Sequence, residues 1–158
     1  MAVDISKKNN HIIVFPTFVA SAMGQYGHII NLVMQANTDN GTLATKGAYV
    51  KFEQYKAAAV AANAVEVTVR EKAAEKDCWI VEFTKLPSDP VFLVYNTPRS
   101  PYLEQELREE GLFYNETGDV TQGMELHIGD CISLSANAFT GTVADGAVAV
   151  YTAGKYVI

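Results

Sequence analysis

The sequence predicts a single, mostly-β domain, folded as a β-sandwich or a distorted barrel with one short inserted α-helix. Three observations lead to this prediction. Apolar and polar residues alternate with a period of two over several segments, which is typical of strands with one buried face. Glycines recur through the C-terminal third, as expected for short strands joined by tight turns. The 158 residues fit one domain, and no linker or low-complexity tract divides them.

The N-terminal region combines a polar arm with an apolar stretch. Residues 1–10 are predicted to form the arm, and residues 11–158 the single β-rich domain. Pro16 interrupts the apolar stretch HIIVFPTFVASA. Because proline cannot donate a ladder hydrogen bond and breaks a helix interior, this stretch is predicted to be an edge strand or an extended arm.

Residues 37–55, NTDNGTLATKGAYVKFEQY, contain two turn signals, Asn40-Gly41 and Lys46-Gly47. The first is typical of a β-hairpin turn, and the second is predicted to open a strand from Tyr49 to Tyr55. In that strand, Val50 and Phe52 would share the apolar face. A calcium loop is disfavoured, because glycine falls at the fifth position rather than at the sixth that an EF-hand requires.

The middle of the chain gives the clearest strand patterns. Val65, Val67 and Val69 alternate with polar residues, and a polar turn leads into CWIVEFTKL, which predicts a β-hairpin over 65–86. VFLVYN is predicted to be a strand covered on both faces. Ser100 as N-cap, proline after it and a closing glycine at 111 predict the α-helix, at about residues 101–110.

Composition and motifs argue against nucleic-acid binding, membrane insertion and catalysis. The formal net charge is -6, and the basic residues are scattered rather than clustered. No 18-residue apolar stretch is present, and the first residues do not form a secretory signal. No closed zinc pattern, nucleophile elbow or phosphate loop is found. The sequence therefore predicts a protein that is not an enzyme and that has no cofactor and no metal site.

Two features of the chain leave alternatives open. Two of Asp119, Glu125 and Asp130 could serve a small hydrolase if they met at glycosidase distance in a cleft. Cys78 and Cys131 each fall in a predicted strand and are interpreted as buried thiols, while sequence alone leaves open whether they meet.

Both ends of the sequence carry apolar segments that favour contact with a partner. Exposed apolar edges usually meet another surface. The candidate partner-binding residues are Ile12, Ile13, Val14, Phe15 and Phe18. The alternative interpretation is that the two ends pair with each other in one sheet, which would cover them without a partner.

Several short phrases of the sequence resemble those of the head auxiliary proteins of tailed bacteriophages, which decorate or cement the capsid. The phrases are LATKGAYVKFEQY and the C-terminal run from LHIGD to GKYVI. Within them, the matching features are Lys46-Gly47, Gly129-Asp130, Phe139 to Gly141 and Gly154 to Val157. The likeness covers about half of the chain, and the hairpin at 65–86 and the acidic helix lie outside it.

This resemblance implies a structural function. The protein would be made in the host cytoplasm and would bind the major capsid protein on the outside of the phage head, as a homo-oligomer on the lattice. Residues 1–22 would act as an arm that becomes ordered only there, so deleting them should abolish attachment and leave the domain folded. The alternative is a carbohydrate- or host-surface-binding β module of a tail or fibre, for which the candidate aromatics are Tyr49, Tyr55, Tyr95 and Tyr102.

Overall fold

The computed structural model describes residues 12–19, 29–74, 77–96 and 114–158, and over these ranges the chain is mostly β. The predicted fold class is confirmed, with a closed barrel beside a second sheet. The predicted helix at 101–110 and the arm at 1–10 lie outside the described residues. Within them the only helical element is a 3-10 turn, Ala136–Ala138, and no helix is long and apolar enough to cross a membrane.

Twelve strands are found in the described ranges. In chain order they are β1 Val14–Phe18, β2 Ile29–Val33, β3 Leu43–Tyr49, β4 Gln54–Ala58, β5 Glu66–Lys72, β6 Cys78–Lys85, β7 Phe92–Tyr95, β8 Val120–Glu125, β9 Cys131–Ser135, β10 Phe139–Thr140, β11 Val148–Thr152 and β12 Lys155–Val157. Seven of them form an open sheet in the order β1-β9-β6-β5-β11-β12-β10. The other five close into a barrel in the order β2-β4-β3-β7-β8.

The predicted central hairpin is confirmed as the antiparallel pair β5–β6 in the middle of the open sheet. Val65, Val67 and Val69 are all fully buried, as the period-2 alternation predicts. Cys78 pairs with Ser135, whereas Cys131 pairs with Glu82, so the two cysteines lie four residues apart in register on β6 and β9. At about 3.3 Å per residue this offset is too long for a disulfide between them.

The first strand, β1, is an edge strand, as Pro16 predicted. It pairs antiparallel with β9, and the register shifts by one residue between Phe15 and Phe18, across the proline. A bulge at this point removes the ladder hydrogen bond that proline could not donate. At the other edge, the two-residue β10 pairs with β12 in parallel. The two ends of the described chain therefore share one sheet but do not pair with each other.

One side of the barrel packs against the open sheet. Leu43, Leu93 and Met124 point out of β3, β7 and β8 into the main core, where they pack with the valines of β5 and with Phe83. A second core fills the barrel with residues from β2 and the position after it, from β3 and from β7, and it comprises Ile30, Leu32, Met34, Ala44, Phe92 and Val94. Strand β7 is thus buried on both faces, which confirms the prediction for VFLVYN.

Two buried tyrosines tie the open sheet to the segment that enters the barrel. The Tyr156 hydroxyl donates to the carbonyl of Gly41 at 2.9 Å, and the backbone N–H of Leu43 donates to the Tyr151 hydroxyl at 2.9 Å. Burial raises the pKa of both phenols above the ordinary value of 10.0, and that of Tyr156 by a wide margin. Tyr156 belongs to the C-terminal phrase GKYV and is fully buried, so the ring of this residue serves the chain's own core.

Candidate interaction surface

Two predictions for residues 37–55 were wrong in detail. A turn does form at Asn40-Gly41, where Gly41 has a φ of 87°, but it closes no hairpin. The flanking strands β2 and β3 are separated in the barrel by β4. Lys46 and Gly47 lie inside β3 rather than in a turn.

The real hairpin is β3–β4, and its turn falls where a continuous strand was predicted. The backbone N–H of Gln54 donates to the carbonyl of Lys51 at 3.0 Å, and that of Val50 to Gln54 at 2.8 Å. The two central residues, Phe52 and Glu53, have positive φ values of 51° and 59°. Two-residue hairpin turns require such values but normally place asparagine or glycine there. Sequence reasoning missed this turn because neither residue signals it.

Phe52 is unfavourable at this position on two independent grounds. A bulky residue at positive φ is an outlier whose cost is about 1–2 kcal/mol. Phe52 is also 79% exposed, so burial within this chain offsets little of that cost. Strain of this kind, held where it does not help folding, is a mark of functional sites.

The surroundings of Phe52 are aromatic and apolar. Tyr49 is 59% exposed, and its ring meets that of Tyr55 edge-on, with the centroids 5.4 Å apart. The backbone N–H of Glu53 donates to the Tyr49 hydroxyl at 3.2 Å, which braces the turn. Ile29, 47% exposed, begins the neighbouring parallel strand β2 at the same end of the barrel. Exposed apolar groups are therefore concentrated at this end.

Lysines flank the aromatic rings. The ammonium of Lys46 lies 4.0 Å from the centroid of the Tyr55 ring, and that of Lys51 lies 5.8 Å from the centroid of Phe52. Both distances are within the range of cation–π attraction. We refer to Lys46, Tyr49, Lys51, Phe52 and Tyr55 as the aromatic tip.

Close backbone packing fixes the position of the aromatic tip. A Cβ atom at Gly47 would lie 2.5 Å from the carbonyl oxygen of Lys56 across the hairpin. The register of β3 and β4 also shifts between Lys46 and Tyr49, which is a bulge. Only glycine permits this approach, and it brings Tyr49 opposite Tyr55.

The five residues predicted to bind a partner lie at the β1 edge instead, and two of them have almost no accessible surface. Ile12 and Val14 are each 2% exposed and belong to the main core. Ile13 and Phe15 are half-buried, and the side chain of Phe18 lies outside the described residues. The expectation that residues 1–22 are ordered only on a partner is corrected for residues 12–19, which contribute a paired strand to the sheet.

The polar residues around Asn40 form a structural network. The Asn40 amide donates to the carbonyl of Asn96 at 2.7 Å and accepts from the backbone N–H of Asn96 at 3.0 Å. Asn115, fully buried, donates to the Thr38 carbonyl and to the Asn40 side chain, each at 3.1 Å. These amides satisfy one another and hold the turn in place, so they support neither a calcium loop nor a polar active site.

Two of the candidate carboxylates, Asp119 and Asp130, accept backbone hydrogen bonds within turns. Asp119 accepts from the backbone N–H of Glu116 at 2.9 Å, and Asp130 from that of His127 at 2.8 Å. Asp119 directly precedes β8 and Glu125 is its last residue, so the length of this strand, about 17 Å, holds the two residues farther apart than the 5–9.5 Å that glycosidases use. In the described ranges, no group of three metal-binding side chains occurs.

Burial raises the pKa of the Cys131 thiol, and the nearby Glu82 acts in the same direction.

A small pocket lies at the opposite end of β3 and β4 from the aromatic tip. Its volume is about 240 Å³ and its wall includes Ala44, Ala57, Ala58 and Ala59. The hydroxyls of Thr38 and Thr42 line it as well, but both already donate to backbone carbonyls. The pocket therefore offers a mainly apolar surface with little to orient a ligand.

Comparisons of this chain with protein-family models, with curated proteins and with solved structures found no match.

Proposed function

We propose that this protein is a virion structural protein that binds the outside of a phage capsid and stabilises or decorates the shell. The observation that carries this proposal is the aromatic tip, where Phe52 is both strained and exposed. A residue that destabilises its own chain is best explained by a contact with another molecule. The sequence resemblance to head auxiliary proteins supplies the kind of partner, the major capsid protein.

The aromatic tip is suited to insertion into a recess between capsid subunits. A hairpin projects a small surface from a rigid barrel, and aromatic anchors contribute most of the energy in many interfaces. Each contact of this size can be weak, because many copies bound on a repeating lattice hold together by avidity.

The first experiment is co-sedimentation of the purified protein with emptied heads of the source virus. We expect saturable binding at a fixed ratio to the major capsid protein. Phe52→Ala should weaken binding at least about tenfold, which corresponds to about 1.4 kcal/mol. Val148→Ala, an exposed apolar residue on the open sheet, is the matched control and should bind like the wild type.

Equal binding by the Phe52→Ala variant and the wild type would show that the aromatic tip is not part of the interface. No binding by the wild type would contradict the capsid role itself.

The second candidate function is a carbohydrate- or host-surface-binding module, and the pairing of Tyr49 with Tyr55 favours it. Aromatic faces are common platforms for sugars, and the structure brings together two of the four tyrosines considered for this role. Tyr95 lies on β7, and Tyr102 is outside the described residues. Binding on a glycan array that is lost in Tyr49→Ala would favour this function over capsid decoration.

A further inference from the structure

We infer that the aromatic tip recognises an acidic protein surface, in which carboxylates surround an apolar recess. This inference rests on the proposed function and adds the chemistry of the partner. It follows from the distribution of charge on the chain and from the pairing of its cations.

The β3–β4 hairpin is positively charged on a negatively charged protein. Residues 43–59 contain three lysines and one glutamate, a balance of +2. The whole chain has 12 basic and 18 acidic residues, so nine basic and 17 acidic residues remain elsewhere, a balance of -8. The hairpin therefore presents the sign of charge opposite to that of the rest of the molecule.

Two cations of the open sheet are paired with carboxylates, whereas a third, Lys72, lies 6.0 Å from the centroid of the Trp79 ring. On the sheet, Arg70 is paired with Glu82 at 2.7 Å, and Lys85 with Glu66 at 3.3 Å. Among the described residues, no carboxylate lies within 4.0 Å of the ammonium of Lys46 or Lys51. These two lysines contact ring faces instead. Each keeps its charge available for a carboxylate on another molecule.

The aromatic side chains and the lysines contribute to binding in different ways. Phe52 and Tyr49 lose exposed apolar surface on docking, which supplies affinity. Lysines at the rim of such a contact attract a partner of opposite charge and reject partners of like charge, and their effect falls with salt. A carboxylate-lined recess satisfies both requirements, whereas a neutral sugar would leave the lysines without a partner of opposite charge.

The test measures binding to emptied heads as a function of ionic strength. We expect the wild type to lose about tenfold in apparent affinity between about 50 and 300 mM NaCl, because screening shortens the reach of the lysine charges. The variant Lys46→Gln with Lys51→Gln should bind about tenfold more weakly at low salt and show a flatter salt dependence. Lys46→Arg with Lys51→Arg keeps the charge and should bind nearly like the wild type. Lys85→Gln, on the open sheet, is the control for the loss of one surface cation.

A second arm identifies the anion on the partner. Treating the heads with a carbodiimide and ethanolamine converts surface carboxylates into neutral amides, and we expect this treatment to abolish the salt-dependent part of binding. Wild-type binding that is insensitive to both salt and amidation would overturn the inference while leaving the capsid role in place. Absence of wild-type binding at every salt concentration would overturn the capsid role and the inference with it.

Discussion

Phe52 shows how the backbone conformation of a single residue can point to a candidate interaction site. Its positive φ and its exposed ring both disfavour phenylalanine, and the polar Glu53 beside it shares the unusual backbone. A turn chosen for stability would carry Asn-Gly, which adopts these angles readily. The conflict between local preference and observed residue is what marks the site.

We therefore predict that the tip can be stabilised at the expense of binding. Phe52→Asn together with Glu53→Gly should raise the free energy of unfolding by about 1–2 kcal/mol, because asparagine and glycine both tolerate positive φ. The measurement is urea denaturation followed by circular dichroism, alongside the binding assay with emptied heads.

Val50→Ala, two residues before the turn centre, serves as a control that shortens an exposed side chain without altering the two central residues. A doubly substituted protein that is less stable than the wild type would show that the φ values of Phe52 and Glu53 cost nothing here.

At the scale of single elements, Gly123 shows how the barrel closes. It lies in β8 and is not in a turn, unlike the other glycines of the C-terminal third at positions 118, 129, 141, 146 and 154, which all have positive φ. A Cβ atom there would lie 2.7 Å from Cδ1 of Leu32 and 3.1 Å from Cβ of Phe92. The barrel interior therefore has no room for one more methyl group at this point.

A double-mutant cycle tests this packing. Gly123→Ala should cost about 1–3 kcal/mol of stability by overpacking, and Leu32→Val should cost about 1 kcal/mol by removing buried volume. The double variant should be at least about 1 kcal/mol more stable than the sum of the two losses predicts, because the smaller valine makes room for the new methyl group. Strictly additive losses in urea denaturation would contradict direct contact between the two positions.

The elements that sequence predicted well are those whose signals are local. Alternating valines and a polar turn specified β5 and β6, the apolar run specified β7, and Pro16 specified an edge. Strand β4 runs into an alanine-rich stretch, and alanine favours helix. Pairing with β2 on one side and β3 on the other overrides that preference.

What sequence could not supply at the site was the position of Phe52. Tyr49 and Tyr55 were recognised as candidate aromatics, and their shared parity placed them on one face. The same alternation assigned Phe52 to the opposite, apolar face of a continuous strand, because nothing in the sequence indicates a turn between Tyr49 and Tyr55. The asparagine network was also missed, since Asn40 and Asn96 are 56 residues apart.

For the whole molecule, the buried hydroxyls of Tyr151 and Tyr156 join the open sheet to the barrel entrance. Their raised pKa values mean that the folded protein keeps protons that the unfolded chain releases near pH 10. The stability that they contribute is complete below pH 10 and falls as the pH rises above that value. The open sheet and the barrel should lose stability together at high pH, because the same main core packs against both of them.

We predict that Tyr156→Phe reduces this alkaline sensitivity. Each proton retained by the folded state steepens the loss of unfolding free energy by about 1.4 kcal/mol per pH unit, so removing one phenol should flatten the curve above pH 10 by up to that amount. At neutral pH the variant should be about 1 kcal/mol less stable, because the carbonyl of Gly41 loses its donor. Urea denaturation at a series of pH values gives both quantities.

Val67→Ala, which lowers stability by removing buried volume without removing a phenol, is the control and should retain the wild-type slope. An unchanged slope in Tyr156→Phe would show that this buried tyrosine does not ionise differently in the folded and unfolded states.

The edges of the open sheet have a consequence for contacts between copies of the protein. A sheet edge normally invites another strand, but β1 is interrupted by a proline and a bulge, and β10 offers only two residues. Successive copies therefore cannot extend one sheet into a fibre through these edges. In the proposed capsid role, such edges would keep free copies from joining edge to edge before they meet the shell.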